Sequence, residues 1–162
     1  METRKTLRLP SYDYSQNGVY FVTICTEERK CILGRVVGGG VLDAPFVQLS
    51  KHGILAQQTL LEMDAFYKDI SVEKYAIMPN HIHFIMTLSA CNGSSRTPTP
   101  TNARLPAFVS ALKRFTNKRA GISLWQRSYY DHVIRSEADY LRVWQYIDDN
   151  PVKWAEDEYY SE

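Results

Sequence analysis

The sequence has few cysteines, and they follow no metal-binding or disulfide pattern. Only three of the 162 residues are cysteines, Cys25, Cys31 and Cys91, and no two of them form a Cys-x-x-Cys pair. An odd number of widely spaced cysteines argues against a disulfide framework and against a thiolate zinc site. We therefore expect a protein of a reducing compartment, the cytoplasm.

Long apolar runs are also missing. The first eight residues, Met-Glu-Thr-Arg-Lys-Thr-Leu-Arg, lack the apolar region of a signal peptide. No apolar run approaches the ~20 residues that a helix needs to span a bilayer. We therefore expect a soluble protein without a membrane partner. A chain of this length is most simply one domain, residues 1–162, which can bury roughly 70% of its unfolded surface.

Acidic residues are absent from Lys74 to Tyr130, although the net charge of the whole chain is only +1. That stretch holds eight basic residues: Lys74, Arg96, Arg104, Lys113, Arg114, Lys118, Arg119 and Arg127. Acidic residues collect near the C-terminal end instead: Glu156, Asp157, Glu158 and Glu162. The basic block suits a polyanionic partner such as nucleic acid. A solvated helix face with compensating acids nearby in space explains it equally well.

Hydrophobic patterns and turn residues predict the order of the secondary-structure elements. We expect strands at 18–26, 71–78, 81–88 and 128–134, a short ribbon at 31–36 and 47–49, and helices at 50–67, 105–119 and 137–149. Ser50 is a plausible N-cap, and Pro151 stops the last helix. The stretch 89–104, rich in Ser, Thr and Pro, is expected to be a flexible loop.

The element order β-α-β-β-α-β is typical of an α+β, ferredoxin-like fold, an antiparallel sheet with two helices on one face. The helix at 137–149 is then left for the other face. Apolar spacing predicts the buried sides of the three helices. They are Ile54, Leu55, Leu61 and Phe66 on the first, Leu105, Phe108, Leu112 and Phe115 on the second, and Tyr140, Trp144 and Ile147 on the third.

His81 and His83 directly follow the turn Met78-Pro79-Asn80. Alternate residues of a strand share a face, so both imidazoles should lie on the sheet face opposite Ile82 and Phe84. Two neutral imidazoles suit Mn²⁺, Zn²⁺ or another divalent ion, whereas Mg²⁺ needs more oxygen ligands. The simpler alternative is two polar, partly exposed histidines. His132, on the fourth main strand, stays open as a further residue of the site.

Tyr146 and Asn150 are four residues apart on the last helix, so they lie one above the other. Tyr146 lies off the buried side and could attack a phosphodiester, with Asn150 as a neutral oxygen ligand of the metal. A phosphotyrosine product conserves the bond energy, so strand cleavage can be followed by rejoining. An ordinary surface tyrosine is the alternative. We assign the competing tyrosines to packing or base stacking: Tyr12, Tyr14, Tyr20, Tyr75, Tyr129, Tyr130 and Tyr140.

Residues 78–85, Met-Pro-Asn-His-Ile-His-Phe-Ile, resemble the histidine–hydrophobe–histidine signature of HUH single-strand DNA endonucleases. Residues 124–127, 130–135 and 146–153 resemble the REP-associated tyrosine transposases of bacteria, and residues 8–14 and 18–26 resemble the opening of one subgroup. The resemblance covers nearly the whole chain, in the same order and spacing. The histidine motif alone is not specific, but the motif together with the other blocks is.

The resemblance implies a transposase-like domain of ferredoxin-like fold that cuts and rejoins single-stranded DNA, often at short palindromic hairpins. By its motifs, His81 and His83 would bind Mg²⁺ or Mn²⁺ with Asn150 as third ligand, and Tyr146 would form a 5′-phosphotyrosine. Relatives act as dimers or as monomers, so both states stay open. The candidate DNA-binding residues are Arg104, Lys113, Arg114, Lys118, Arg119 and Arg127. A non-catalytic nucleic-acid-binding module is the alternative, and it predicts aromatic residues instead of histidines on the open face.

Overall fold

The computed structural model describes residues 17–89 and 104–161. The elements are β1 (Gly18–Cys25), β2 (Gly34–Val37), β3 (Phe46–Leu49), α1 (Lys51–Phe66), β4 (Ile70–Ile77), β5 (His81–Leu88), α2 (Arg104–Ala120), β6 (Tyr130–Ile134) and α3 (Glu137–Asp149). Short 3₁₀ turns span Glu27–Arg29 and Trp154–Glu156. Apart from its two end residues, the predicted flexible loop at 89–104 lies outside the described residues.

The main sheet is antiparallel, with the strand order β4-β5-β1-β6. The connection between β4 and β5 is so short that the two strands can pair only antiparallel. The turn is closed by the amide of Met78, which donates to the carbonyl of His81 at 2.8 Å. β2 and β3 form a separate two-stranded ribbon. The predicted α+β, ferredoxin-like architecture is therefore confirmed.

α1 and α2 cover one face of the sheet and enclose the larger hydrophobic core. From β5 this core receives Ile82, Phe84, Met86 and Leu88, as the alternation predicts. The predicted buried side of α1 is wrong, since Ile54 and Leu61 are exposed and Phe66 is 77% exposed. The buried residues of α1 are Gly53, Ala56, Thr59, Leu60 and Met63. Phe115 of α2 is likewise exposed.

The buried side of α1 includes small residues, among them Gly53 and Ala56. A Cβ atom on Gly53 would lie only 2.0 Å from the carbonyl oxygen of Leu33. Glycine is therefore required where the helix crosses the chain that precedes the ribbon, because any larger side chain would clash with that backbone. A pattern that weights large apolar residues cannot detect a contact made by the absence of a side chain.

α3 covers the opposite face of the sheet. Phe21, Ile85, Ile134, Val143 and Ile147 form a second, smaller core beneath it. The helix begins after Ser136, whose hydroxyl accepts a hydrogen bond from the amide of Asp139 at 3.1 Å. The third helix therefore lies over the face that carries the two histidines. No helix in the described part of the chain is both long and apolar enough to cross a membrane.

Candidate active site

His81 and His83 lie side by side on β5, one of the two central strands. Their imidazole centroids are 4.3 Å apart, and both residues are 0% exposed. In the sheet register Cys25 pairs with His81, and Thr23 pairs with His83. The predicted shared face is therefore confirmed, whereas the alternative of partly exposed histidines is wrong.

Each imidazole is oriented through its Nδ1 atom. Asn80 donates through its side-chain nitrogen to the carbonyls of Arg29 and Tyr159, so its Oδ1 is free to accept from His81 Nδ1 at 2.8 Å. His83 Nδ1 is hydrogen-bonded to the hydroxyl of Thr23 at 2.7 Å. Hydrogen bonds of this kind fix the orientation of histidines that bind metals through the other nitrogen.

The Nε2 atoms of both histidines are buried and have no hydrogen-bond partner within residues 17–89 and 104–161. Burying a polar nitrogen without a hydrogen-bond partner costs free energy unless another group binds it. Burial, with a smaller contribution from Arg29, lowers the pKa of His81 to about 3. Burial, and then the nearby His81, places the pKa of His83 well below its usual value. Both imidazoles are therefore neutral, the form that binds a metal ion.

Asp157 completes a group of three potential ligands with the histidines. Its Oδ2 lies 4.0 Å from His81 Nε2, and the three candidate ligand atoms all lie within 4.8 Å of one another. Two imidazoles and one carboxylate fit a divalent cation. Asp157 was not predicted from the sequence as a candidate ligand, because it is one of several acidic residues near the end of the chain and no periodic pattern links it to His81.

The segment that carries Asp157, residues 154–161, is held against the histidines; we call it the C-terminal segment. Asn80 Nδ2 donates to the carbonyl of Tyr159 at 2.7 Å and to the hydroxyl of Ser161 at 3.1 Å. The rings of Tyr159 and Trp154 lie 4.8 Å and 6.0 Å from the ring of His81. Asn80 therefore orients both a histidine and the segment that brings the carboxylate.

Tyr146 lies next to the histidine pair. Its ring centroid is 5.2 Å from that of His83 and 6.0 Å from that of Phe21, and the residue is 39% exposed. Burial, followed by the charges of Asp157 and Glu158, raises the pKa of Tyr146 to about 12. The phenol is therefore protonated at neutral pH, and a nearby positive charge is needed to favour its ionised form.

Asn150, the predicted third metal ligand, caps the end of α3. Its Nδ2 donates to the carbonyl of Tyr146 at 3.0 Å, and its buried Oδ1 has no hydrogen-bond partner in the described part of the chain. Asn150, Asp157 and Tyr146 line one cavity of about 280 Å³. Metal binding by Asn150 stays a prediction, and its unpartnered oxygen is compatible with it.

Three of the six candidate DNA-binding residues form contacts inside the fold. Arg104 pairs with Asp69 at 2.6 Å, and Arg119 pairs with Glu62. Lys113 Nζ donates to the carbonyls of residues 126, 127 and 128 at 2.7, 3.3 and 2.8 Å, and so holds the chain before β6. The other three, Arg114, Lys118 and Arg127, are exposed, and none has a salt bridge within the described ranges. DNA binding by the six residues stays a prediction.

Known proteins resemble the chain along most of its length, although no family model matches it. An uncharacterized protein of Haemophilus influenzae is 30% identical over 97% of this chain and 93% of its own length. The REP-associated tyrosine transposase of Escherichia coli K12 is 24% identical, over 86% of this chain and 70% of its own.

A solved structure shares the fold. It is a REP-associated tyrosine transposase bound to a REP hairpin, with a TM-score of 0.63 and 19% identity. The match covers 91% of this chain and 73% of that one. The named relative, at 24% identity, agrees with this likeness. In sequence and in fold, the chain is similar to the REP-associated tyrosine transposases.

Proposed function

We propose that this protein is a metal-dependent endonuclease and strand transferase for single-stranded DNA, which acts through a covalent 5′-phosphotyrosine on Tyr146. The observation that carries the proposal is the position of the Tyr146 ring, 5.2 Å from the ring of His83, beside two unpartnered imidazole nitrogens. Hairpin DNA is the proposed substrate, because a relative of the same fold is bound to a REP hairpin.

In the proposed reaction the phenolic oxygen of Tyr146 attacks a backbone phosphorus. The new O–P bond forms while the bond between phosphorus and the 3′-oxygen breaks. The phenol loses its proton, and the departing 3′-oxygen takes one up as a hydroxyl. The phosphotyrosine keeps the energy of the broken bond, so a 3′-hydroxyl can attack it and rejoin the strand. The rings of His83 and Phe21 hold the nucleophile in place.

The proposed cation site consists of His81 and His83 with Asp157 or Asn150 as an oxygen ligand. A divalent cation at these residues supplies positive charge for the phosphate oxygens when it is bound. The candidates are Mg²⁺ and Mn²⁺. Two nitrogen ligands favour Mn²⁺, since Mg²⁺ prefers a shell of oxygen atoms. The buried histidines at the site support this proposal over the non-catalytic alternative, which predicts aromatic residues in their place.

The experiment is a denaturing gel of the protein after incubation with hairpin DNA and Mn²⁺. A label on the 3′ end of the oligonucleotide should stay with the protein band, and a label on the 5′ end should be released, because Tyr146 keeps the 5′ phosphate. EDTA and Tyr146→Phe should each abolish the labelled band. Tyr140→Phe is the matched control on the same helix and should leave it unchanged. An adduct that survives Tyr146→Phe would assign the nucleophile to another residue.

A further inference from the structure

A second cavity, also of about 280 Å³, lies beside Tyr146. It is on the side of this residue that faces away from the C-terminal end of α3. Its lining includes His83, Tyr130, His132, Arg142, Tyr146 and Glu158. The reaction proposed above uses His83, Tyr146 and Phe21, which also lines this cavity. The wall formed by Tyr130, His132 and Arg142 has no part in it, although it faces the same space as the nucleophile.

Two residues of that wall come from β6, an edge strand of the sheet. Tyr130 and His132 are two residues apart, so they share the face covered by α3. In the register Tyr130 pairs with Thr23 and His132 pairs with Phe21, and these two β1 residues contact the histidine and the tyrosine of the site. The open alternative that His132 lines the site therefore agrees with the structure. The Tyr130 ring is exposed.

The third residue, Arg142, is held by a carboxylate that it shares with His132. Asp139 Oδ2 accepts a hydrogen bond from His132 Nε2 at 2.7 Å, and its Oδ1 pairs with the Arg142 guanidinium. Arg142 lies one helical turn before Tyr146, on the same side of α3. Its side chain is 74% exposed, so most of its five N–H donors remain available to a ligand.

We propose that Arg142 and Tyr130 form a nucleotide subsite beside Tyr146, in which the guanidinium binds the phosphate next to the one that is cut and the Tyr130 ring stacks on a base. This inference rests on the proposed function. The planar guanidinium matches two phosphate oxygens at once. Stacking on an aromatic ring accepts any base, and an edge strand leaves room for the DNA strand to enter.

Glu158 allows a test of whether the ligand in the cavity is negatively charged. Among the described residues that line the cavity, Glu158 is the acidic one. The segment is held there by its backbone, because the carbonyl of Glu158 accepts from Arg29 at 3.1 Å. A phosphate in the cavity would be repelled by this carboxylate. Glu158→Gln should therefore tighten DNA binding about twofold to threefold, as expected for any phosphate bound in this cavity.

The experiment measures fluorescence anisotropy of a labelled hairpin oligonucleotide with a single-stranded extension. All variants carry Tyr146→Phe so that the DNA is not cut. Arg142→Ala should raise the Kd about tenfold and reduce the slope of log K against log salt by about 0.7, the value for one phosphate contact on a single strand. Arg142→Lys should recover part of the affinity. Arg135→Ala removes the same charge at an exposed position outside the cavity and should change the Kd less than twofold.

The stacking contact has its own pair of variants. Tyr130→Ala should raise the Kd about tenfold at an unchanged salt slope, in the range measured for base stacking. Tyr130→Phe should bind like the parent protein, because it keeps the ring. Equal effects of Arg142→Ala and Arg135→Ala would overturn the phosphate contact, and equal effects of Tyr130→Ala and Tyr130→Phe would overturn the stacking.

These outcomes are separate from those of the adduct experiment. If the protein forms the labelled adduct and the subsite variants bind normally, the subsite is wrong and the proposed function stands. If no adduct forms and the variants still lose binding as described, the subsite stands and the catalytic proposal fails. Absence of both DNA binding and adduct refutes the two proposals together.

Discussion

Neutralising Asp157 should weaken metal binding without destabilising the metal-free protein. The side chain is 3% exposed, and its Oδ2 lies 4.0 Å from His81 Nε2. Burial raises the pKa of Asp157, which means that its charge is unfavourable when no cation is bound. Asparagine keeps the shape and an oxygen that can accept from the amide of Tyr159, a bond of 2.8 Å in the structure. Asp157→Asn therefore removes the charge alone.

The size of the effect follows from the linkage between binding and stability. A ligand present at 100 times its Kd stabilises the folded state by about 2.7 kcal/mol. A tenfold loss of affinity, a typical cost for a perturbed metal site, leaves about 1.4 kcal/mol at the same concentration. The difference of about 1.3 kcal/mol corresponds to roughly 3–5 °C in Tm for a domain of this size. The rise in Tm on adding Mn²⁺ should shrink by that amount.

Thermal melting with and without Mn²⁺, supported by titration calorimetry, measures this difference. Glu156→Gln is the matched control. Glu156 lies in the same segment and lines the same cavity as Asp157, but it is outside the group of three candidate ligands. An Mn²⁺ response of Asp157→Asn equal to that of the unmodified protein would refute the reasoning. If Asn150→Ala loses the response instead, the oxygen ligand is Asn150, as the sequence predicts.

Three further predictions concern stability and the basic residues. With metal chelated, lowering the pH from 7 to 5 should reduce the free energy of unfolding by roughly 2 kcal/mol through His81. The pKa of His81 in the folded protein is about 3, so below pH 6.5 only the unfolded chain takes up the proton. Urea melts at both pH values, with His81→Gln for comparison, measure this change. Gly53→Ala should destabilise the protein by about 2 kcal/mol or more in the same melts, since its Cβ would lie 2.0 Å from the carbonyl oxygen of Leu33. Lys113→Met should lower the Tm because it removes the donor to three backbone carbonyls, whereas Arg114→Glu should leave the Tm unchanged and weaken DNA binding measured by anisotropy.

The sheet and the position of the histidines could be predicted because both depend on local rules. Strand alternation puts His81 and His83 on one face, and the short turn after β4 forces antiparallel pairing. Helical spacing puts Tyr146 off the buried side of α3. With two helices assigned to one face of the sheet, the third helix had only the histidine face to cover. These constraints need no knowledge of contacts between distant parts of the chain.

The features of the fold and of the candidate site that could not be predicted from the sequence depend on long-range contacts. Asp157 meets His81 through the path of the C-terminal segment, which is held by hydrogen bonds from Asn80 and Arg29. The number of charges in a segment also does not distinguish basic residues that would contact a ligand from basic residues that form ion pairs within the fold. Arg104 and Arg119 have acidic partners that are far away in the sequence, at positions 69 and 62.

Because Asn80 donates to Tyr159 and Ser161 while its oxygen accepts from His81, a cation bound at the proposed site would be thermodynamically coupled to the docking of the C-terminal segment. By the reciprocity of linked equilibria, the free energy that a bound ion would gain from Asp157 would stabilise the docked position of residues 154–161 by the same amount. A binding partner that captures this end of the chain would loosen the ion by the same factor.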